Sequence, residues 1–155
     1  MNSREKTGLE KEECLRKLKN FFELQPLAVL ATQDGNAPYA SLISFASNEK
    51  LTYLLFATPK ATRKYSNMQA NPAVALLIDN RKNTKEDIQE ATTVTVLGRV
   101  EQVESFEYSI MEKTYLMKHP YLADFLHSPE TAFLKIRVEK YIVVTHFQRV
   151  VEISV

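Results

Sequence analysis

Lys60, Arg63 and Lys64 crowd into one short stretch, interleaved with the hydroxyls of Thr58, Thr62, Tyr65 and Ser66. Cations and hydroxyl donors together are the chemistry of anion binding. Phosphate is the natural ligand, because charge-assisted hydrogen bonds to its oxygens are about twice as strong as neutral ones. The residues sit in "LLFATPKATRKYSNMQANPAVALL", residues 54–77, where an apolar strand hands over to a short helix expected over Lys60–Ala70. A helix N-terminus carries free N–H groups and a partial positive charge. Basic side chains in a first turn oppose that dipole, so Arg63 and Lys64 there ask for an anion. By charge pattern alone, a solvated helix face is the simpler account and an anion site the alternative.

Other chemistries find little support. No G-x-G-x-x-G and no Walker-type glycine loop is present. His119, His127 and His146 match no zinc spacing, and no H-E-x-x-H occurs. Structural roles are expected for all three, with His119 capping a helix beside Pro120. Ser41 and Ser44 fall on a strand without a G-x-S-x-G elbow. Asp34 and Asp79 fall at strand ends and look like turn residues. Tyr39, Tyr53 and Phe56 offer flat surfaces for a ring system, although strand aromatics are more often core. No metal site is expected.

The elements around the cationic stretch are mostly strands. "TGLEKEECLRKLKNFFEL" is an amphipathic helix with Cys14, Leu15, Leu18, Phe21 and Phe22 on one face, and Thr7 with Glu10 has capping-box spacing. Residues 1–6 are polar and expected to fray. Three strands follow as a meander, "LAVLATQ", "PYASLISFA" and "LTYLLFAT", with Asp34-Gly35 as the hairpin signal. "PAVALLID" is a fourth strand, and "ATTVTVLGRVEQVE" a fifth with Gly98 as a candidate bulge. A helix is expected from Ser105 to the residues before Pro120, then a short one over "PYLADFLH". "AFLKIRVEKYIVVTHF" alternates Ala132, Leu134, Ile136 and Val138 against Phe133, Lys135, Arg137 and Glu139. "RVVEISV" is the last strand. Strands that do not alternate strictly with helices argue against a doubly wound sheet. They favour a mainly β fold, an antiparallel barrel with peripheral helices, as one domain over 1–155.

Composition restricts the function classes. Twenty basic and 19 acidic residues give a net charge of +1, which supplies no global attraction to nucleic acid or to membranes. One cysteine, Cys14, builds no disulfide framework. The charged beginning has no apolar core for a signal peptide, and no apolar run approaches the ~20 residues of a membrane span. A cytoplasmic protein is the expectation.

The order of these features resembles the pyridoxamine 5′-phosphate oxidase-like family of FMN-binding split β-barrels. The resemblance rests on "LAVLATQDGNAPYASLISFA", on "LTYLLFATPKATRKYSNMQANPAVALLI" and, more loosely, on "TVTVLGRVE". It implies that Arg63 and Lys64 grip the FMN phosphate, with Thr62 as the hydroxyl beside them. It implies that Ala57 and Thr58 approach the flavin. Ser41, Leu42, Ile43 and Ser44 would run along the ring and ribityl chain, and Thr93, five residues before Gly98, would reach the flavin from the fifth strand. A homodimer with FMN at its interface is implied as well. With the resemblance, phosphate becomes the leading explanation of the cationic stretch.

The resemblance also implies what this chain is not. Family members that oxidise pyridoxamine phosphate carry an Arg early in the second strand, a Lys at its end and a Trp- and Arg-containing tail. Ser41 and Ala46 occupy the two strand positions here, and the chain has no Trp. The expectation is therefore an FMN-dependent oxidoreductase of another small substrate, drawing on NAD(P)H or a similar donor. The alternatives are a haem-binding or haem-handling barrel and a non-catalytic flavin binder.

Overall fold

The computed structural model describes residues 8–146 and 149–155. Helix α1 (Gly8–Leu24) leads into strand β1 (Leu27–Asp34), then β2 (Ala37–Ser47) and β3 (Tyr53–Pro59). Helix α2 (Arg63–Ala70), β4 (Ala73–Asp79), the single turn α3 (Asp87–Glu90) and β5 (Thr93–Gln102) follow. Then come α4 (Tyr108–Lys118), a 3₁₀ turn at Pro120–Leu122, α5 (Ala123–His127), β6 (Thr131–Thr145) and β7 (Arg149–Ser154). The expected Thr7 cap and residues 1–6 lie outside the described residues, as does Phe147 at the end of the alternating run.

All pairings among these strands are antiparallel, in the order β3-β2-β1-β4-β5-β6-β7, and β3 also pairs with β6. That extra pairing closes β1 to β6 into a six-stranded barrel. β6 is long enough to serve two partners along one edge. Its Thr131–Arg137 half pairs with β3, and its Lys140–Thr145 half carries β7. The switch falls at a bulge, because Leu97 pairs with Lys140 while Gly98 pairs with Val138, leaving Glu139 unmatched. Gly98 permits the close approach: a Cβ there would lie 2.4 Å from the Arg137 carbonyl oxygen. The β1–β2 hairpin closes through Gly35 and Asn36, with Gly35 at φ +61°, where a two-residue loop needs glycine in its first position.

The main core fills the barrel with alternate residues of each strand, such as Leu30, Ile43, Phe45, Leu54, Leu76, Val96 and Ile136. The buried face of α1 plugs one end, where Phe22 meets Phe45 edge-on at 5.7 Å. A second cluster lies outside the wall: Ala46, Leu55, Ala57 and Phe133 packed under Tyr115 of α4 and Leu126 of α5. This second layer corrects the simple alternation expected for β6. Phe133 and Lys135 are buried like their neighbours, Phe133 because α4 and α5 cover it and Lys135 among Glu107, Glu101 and Tyr53. Lys135 bridges to the Glu107 carboxylate and lies over the Tyr53 ring.

Two helices begin later than expected. α2 starts at Arg63, because Thr62 is held in an extended conformation as its N-cap. α4 starts at Tyr108, after a turn in which Glu107 N–H donates to the Glu104 carbonyl.

Candidate functional site

The barrel wall parts between β2 and β3. The two strands pair only where Phe45, Ala46 and Ser47 meet Phe56, Leu55 and Leu54. Beyond that point Ala57–Pro59 of β3 pair with β6 alone, while the rest of β2 keeps only β1. A cleft of about 200 Å³ opens in the gap. Leu42, Ile43 and Ser44 line one side, Ala57, Thr58 and Pro59 the other, and Lys64 one end. Tyr115, Leu122 and Phe125 complete it from α4, the 3₁₀ turn and α5. The free edge of β2 turns the backbone N–H and C=O of Leu42 and Ser44 toward this space, since alternate residues of a strand share an edge. Tyr115 Oη donates to Ser44 O at 3.4 Å, and Lys64 Nζ donates to Leu42 O at 3.5 Å. An apolar slot flanked by a row of backbone donors and acceptors suits a flat heterocycle whose rim carries polar atoms.

The cationic end is built by α2. Thr62 accepts from the Tyr65 N–H at 3.3 Å, and its own hydroxyl donates to Pro59 O at 2.9 Å. Its hydroxyl oxygen also lies 3.3 Å from that of the buried Thr58. Thr62 thus fixes where the helix starts, which sets Arg63 and Lys64 in the first turn. No acidic residue shares that turn, and among the described residues neither cation forms an ion pair. Partial burial pulls the Lys64 pKa below its ordinary value. Arg63 lies over the Tyr39 ring, 5.2 Å from its centroid. Lys60 faces away: its ammonium donates to Pro129 O at 3.1 Å. Asn67 secures the helix from below, donating to Thr32 Oγ1 at 3.0 Å in the buried interior.

Ser41 supplies an unspent group. Its Oγ is buried and has no hydrogen-bond partner among the described residues. A buried hydroxyl without a partner costs about 1–3 kcal/mol of desolvation, so its persistence calls for a reason. It lies on the inner face of β2, two residues from Ile43.

Thr93 stands apart. It pairs with Asp79 and Val144, three strands round from β2, so one chain does not bring it to the cleft. Tyr115, Leu122 and Phe125 escape a sequence reading. The apolar spacing of Tyr108, Met111 and Tyr115 marks a buried helix face but not what that face covers.

The histidines divide. His119 is buried with both ring nitrogens engaged, Nε2 at 2.7 Å from Phe45 O and Nδ1 at 3.3 Å from Tyr121 Oη. Burial lowers its pKa. His127 pairs through Nε2 with the Glu112 carboxylate on the surface. His146 follows β6 in a turn at φ +42°. Among the described residues no group of three His, Cys, Asp or Glu side chains gathers as a metal site.

Next to the cleft, the outer face of the wall is apolar and uncovered. Leu42 pairs across to Val29, which pairs to Leu77, and the two leucines are 58% and 38% exposed. Ala40, Ala31 and Ala75 form the next row.

A closed antiparallel barrel, parted between β2 and β3 beside a cationic helix start, defines a split barrel. A family model described as pyridoxamine 5′-phosphate oxidase matches residues 15–145, and the chain belongs to that family. Among curated proteins none matches the sequence. Solved structures share the fold at low identity. A heme binding protein from Mycobacterium smegmatis is 14% identical with a TM-score of 0.78, covering 97% of this chain and 59% of its own. This chain therefore spans less than two thirds of that protein's length. A FAD-binding protein from Mesorhizobium loti is 20% identical with a TM-score of 0.66, covering 85% of this chain and 90% of its own. The heme storage protein from Vibrio cholerae is 18% identical with a TM-score of 0.69, covering 80% and 89%. No helix among the described residues is long and apolar enough to cross a membrane.

Proposed function

We propose that this chain is an FMN-binding flavoprotein, working as a cytoplasmic homodimer that oxidises or reduces a small molecule. The observation that carries this reading is the pair Arg63 and Lys64, unpaired by any described carboxylate at the start of α2, with Lys64 lining one end of the cleft. A phosphate there offsets the cost of holding Lys64 partly out of water. The orphan hydroxyl of Ser41 and the free edge of β2 supply the neutral polar contacts that a ribityl chain and a flavin rim need.

The bound flavin supplies the redox chemistry. The residues of the chain then have separate tasks. Arg63 and Lys64 hold the phosphate, Thr62 holds the helix that presents them, and Thr58 with Ala57 shapes the floor. Tyr115, Leu122 and Phe125 exclude water from the opposite wall. A second copy on the Leu42–Val29–Leu77 face would cover exposed leucine and bring a partner's residues toward the cleft. That is the route by which Thr93 would take part. NAD(P)H or a similar donor fits a site that offers no obligatory acid or base of its own. Ser41 and the buried Ala46, in place of the Arg and Lys of pyridoxamine phosphate oxidases, argue for another substrate.

Haem handling is the second reading, supported by the heme-binding and heme-storage proteins among the structural relatives. It falls on His127 or His146, because His119 has no ring nitrogen to spare. Absorbance of the purified protein separates the two. A yellow protein with a band near ~450 nm supports flavin. A Soret band on adding haem, lost in His127→Ala or His146→Ala, supports haem. A colourless protein that takes up no FMN on titration contradicts the first reading.

A further inference from the structure

A second cavity lies at the α1 end of the barrel, where the helix plugs the opening incompletely. Its volume is about 340 Å³, within the range of small-molecule sites. Phe21 of α1, Val143 of β6 and Val151 and Ile153 of β7 form apolar walls. Lys17 and Arg149 stand on its lining with Thr145, and among the described residues no carboxylate does. Lys17 shares an exposed ion pair with Glu13 at 3.4 Å, while Arg149 forms none among the described residues. The cavity is separate from the flavin cleft. Val143 and Thr145 end β6, whereas the cleft adjoins the strand's beginning through Thr131–Phe133 and β3.

We propose that this cavity binds an amphipathic carboxylate of the medium-chain fatty acid type. The chain lies against Phe21, Val143, Val151 and Ile153, and the carboxylate reaches Lys17, Arg149 and the Thr145 hydroxyl. Charge and apolarity are both needed for this assignment. A neutral ligand would leave the two cations unused, and a fully polar anion would leave the walls wet. Leu18, Val143, Val151 and Ile153 make the walls mostly aliphatic, with Phe21, Cys14 and Thr92 between them, which favours an alkyl chain over a large ring system.

The test is calorimetric titration of the full chain with decanoate below its micelle concentration. One saturable site per chain is expected. Lys17→Glu with Arg149→Glu reverses both charges at exposed positions without disturbing the core, and should weaken decanoate about tenfold or more. Val151→Phe fills the cavity, and should abolish binding while circular dichroism stays unchanged. FMN titration of the charge-reversed variant should match the wild type, which keeps this site distinct from the cleft. Absence of saturable binding to the wild type, or binding to the charge-reversed variant as tight as to the wild type, overturns the proposal. So does self-association through this end that excludes decanoate.

Discussion

The ammonium of Lys64, at the start of α2, lies 3.5 Å from the carbonyl oxygen of Leu42, on the free edge of β2. The contact ties the proposed phosphate grip to the strand that would run along the flavin. It is long for a hydrogen bond. The ammonium therefore has capacity left for an anion. Replacing Lys64 with Met keeps the stem and removes the charge. FMN affinity should fall about tenfold or more, the worth of a charge-assisted contact of roughly 1.5–3 kcal/mol. Fluorescence quenching of free FMN measures this directly.

Ser41→Ala separates a ligand contact from a structural one. The Ser41 hydroxyl has no partner among the described residues. Its removal should leave the thermal midpoint of the flavin-free protein unchanged or slightly raised. FMN affinity should drop several-fold, by the roughly 0.5–1.5 kcal/mol of one neutral hydrogen bond. A fall in stability with no change in affinity would make Ser41 a packing residue only.

Leu42→Asp places a charge at the β2 end of the Leu42–Val29–Leu77 row, on its most exposed leucine. The proposed homodimer should dissociate, and sedimentation should report a monomer. Flavin binding should weaken with it, because the cleft borders that face. A variant that remains dimeric would move the interface elsewhere on the barrel.

Gly98→Ala tests the bulge. The new methyl would meet Arg137 O at 2.4 Å and Ile136 Cγ2 at 2.8 Å, and backbone cannot yield as a side chain can. A loss of about 1–3 kcal/mol is expected, read from the midpoint of urea unfolding.

His119 gives a pH dependence whose sign is fixed by burial. Its folded pKa lies below the ordinary value of 6.5. The unfolded chain therefore takes up the proton first as pH falls, and folding stability declines below about pH 6.5. His119→Gln should flatten that decline in thermal melts between pH 7.5 and 5. The variant loses some stability at neutral pH, because the Phe45 carbonyl contact is disturbed.

Much of this architecture is legible in local pattern. β-branched alternation marks the strands, Asp34-Gly35 marks the hairpin, and Gly98 marks the bulge, because each expresses backbone geometry on its own. What local pattern cannot carry is packing between distant segments. Tyr115 reaches Ser44 across 71 positions, and nothing near either residue announces it. Phe133 breaks the expected alternation because α4 and α5 cover it from outside, and Lys135 because Glu107, Glu101 and Tyr53 enclose it. The late start of α2 follows from the Thr62 cap, whose hydroxyl bonds both Pro59 and Tyr65. Six of the residues named for the flavin, Leu42, Ile43, Ser44, Ala57, Thr58 and Lys64, meet at one cleft. Ser41 and Arg63 stand beside it. Thr93 does not reach it within one chain, since it lies on β5, three strands round from β2.

The central claim is that an uncompensated cation pair at the α2 N-terminus holds a flavin phosphate. Titration of FMN and of riboflavin, into the wild type and into Arg63→Ala/Lys64→Ala, tests it most directly. The wild type should bind FMN far more tightly than riboflavin. The double variant should lose about a hundredfold or more in FMN affinity, two charge-assisted contacts' worth, and bind riboflavin as before with its fold intact. Equal FMN affinity in the two proteins would contradict it.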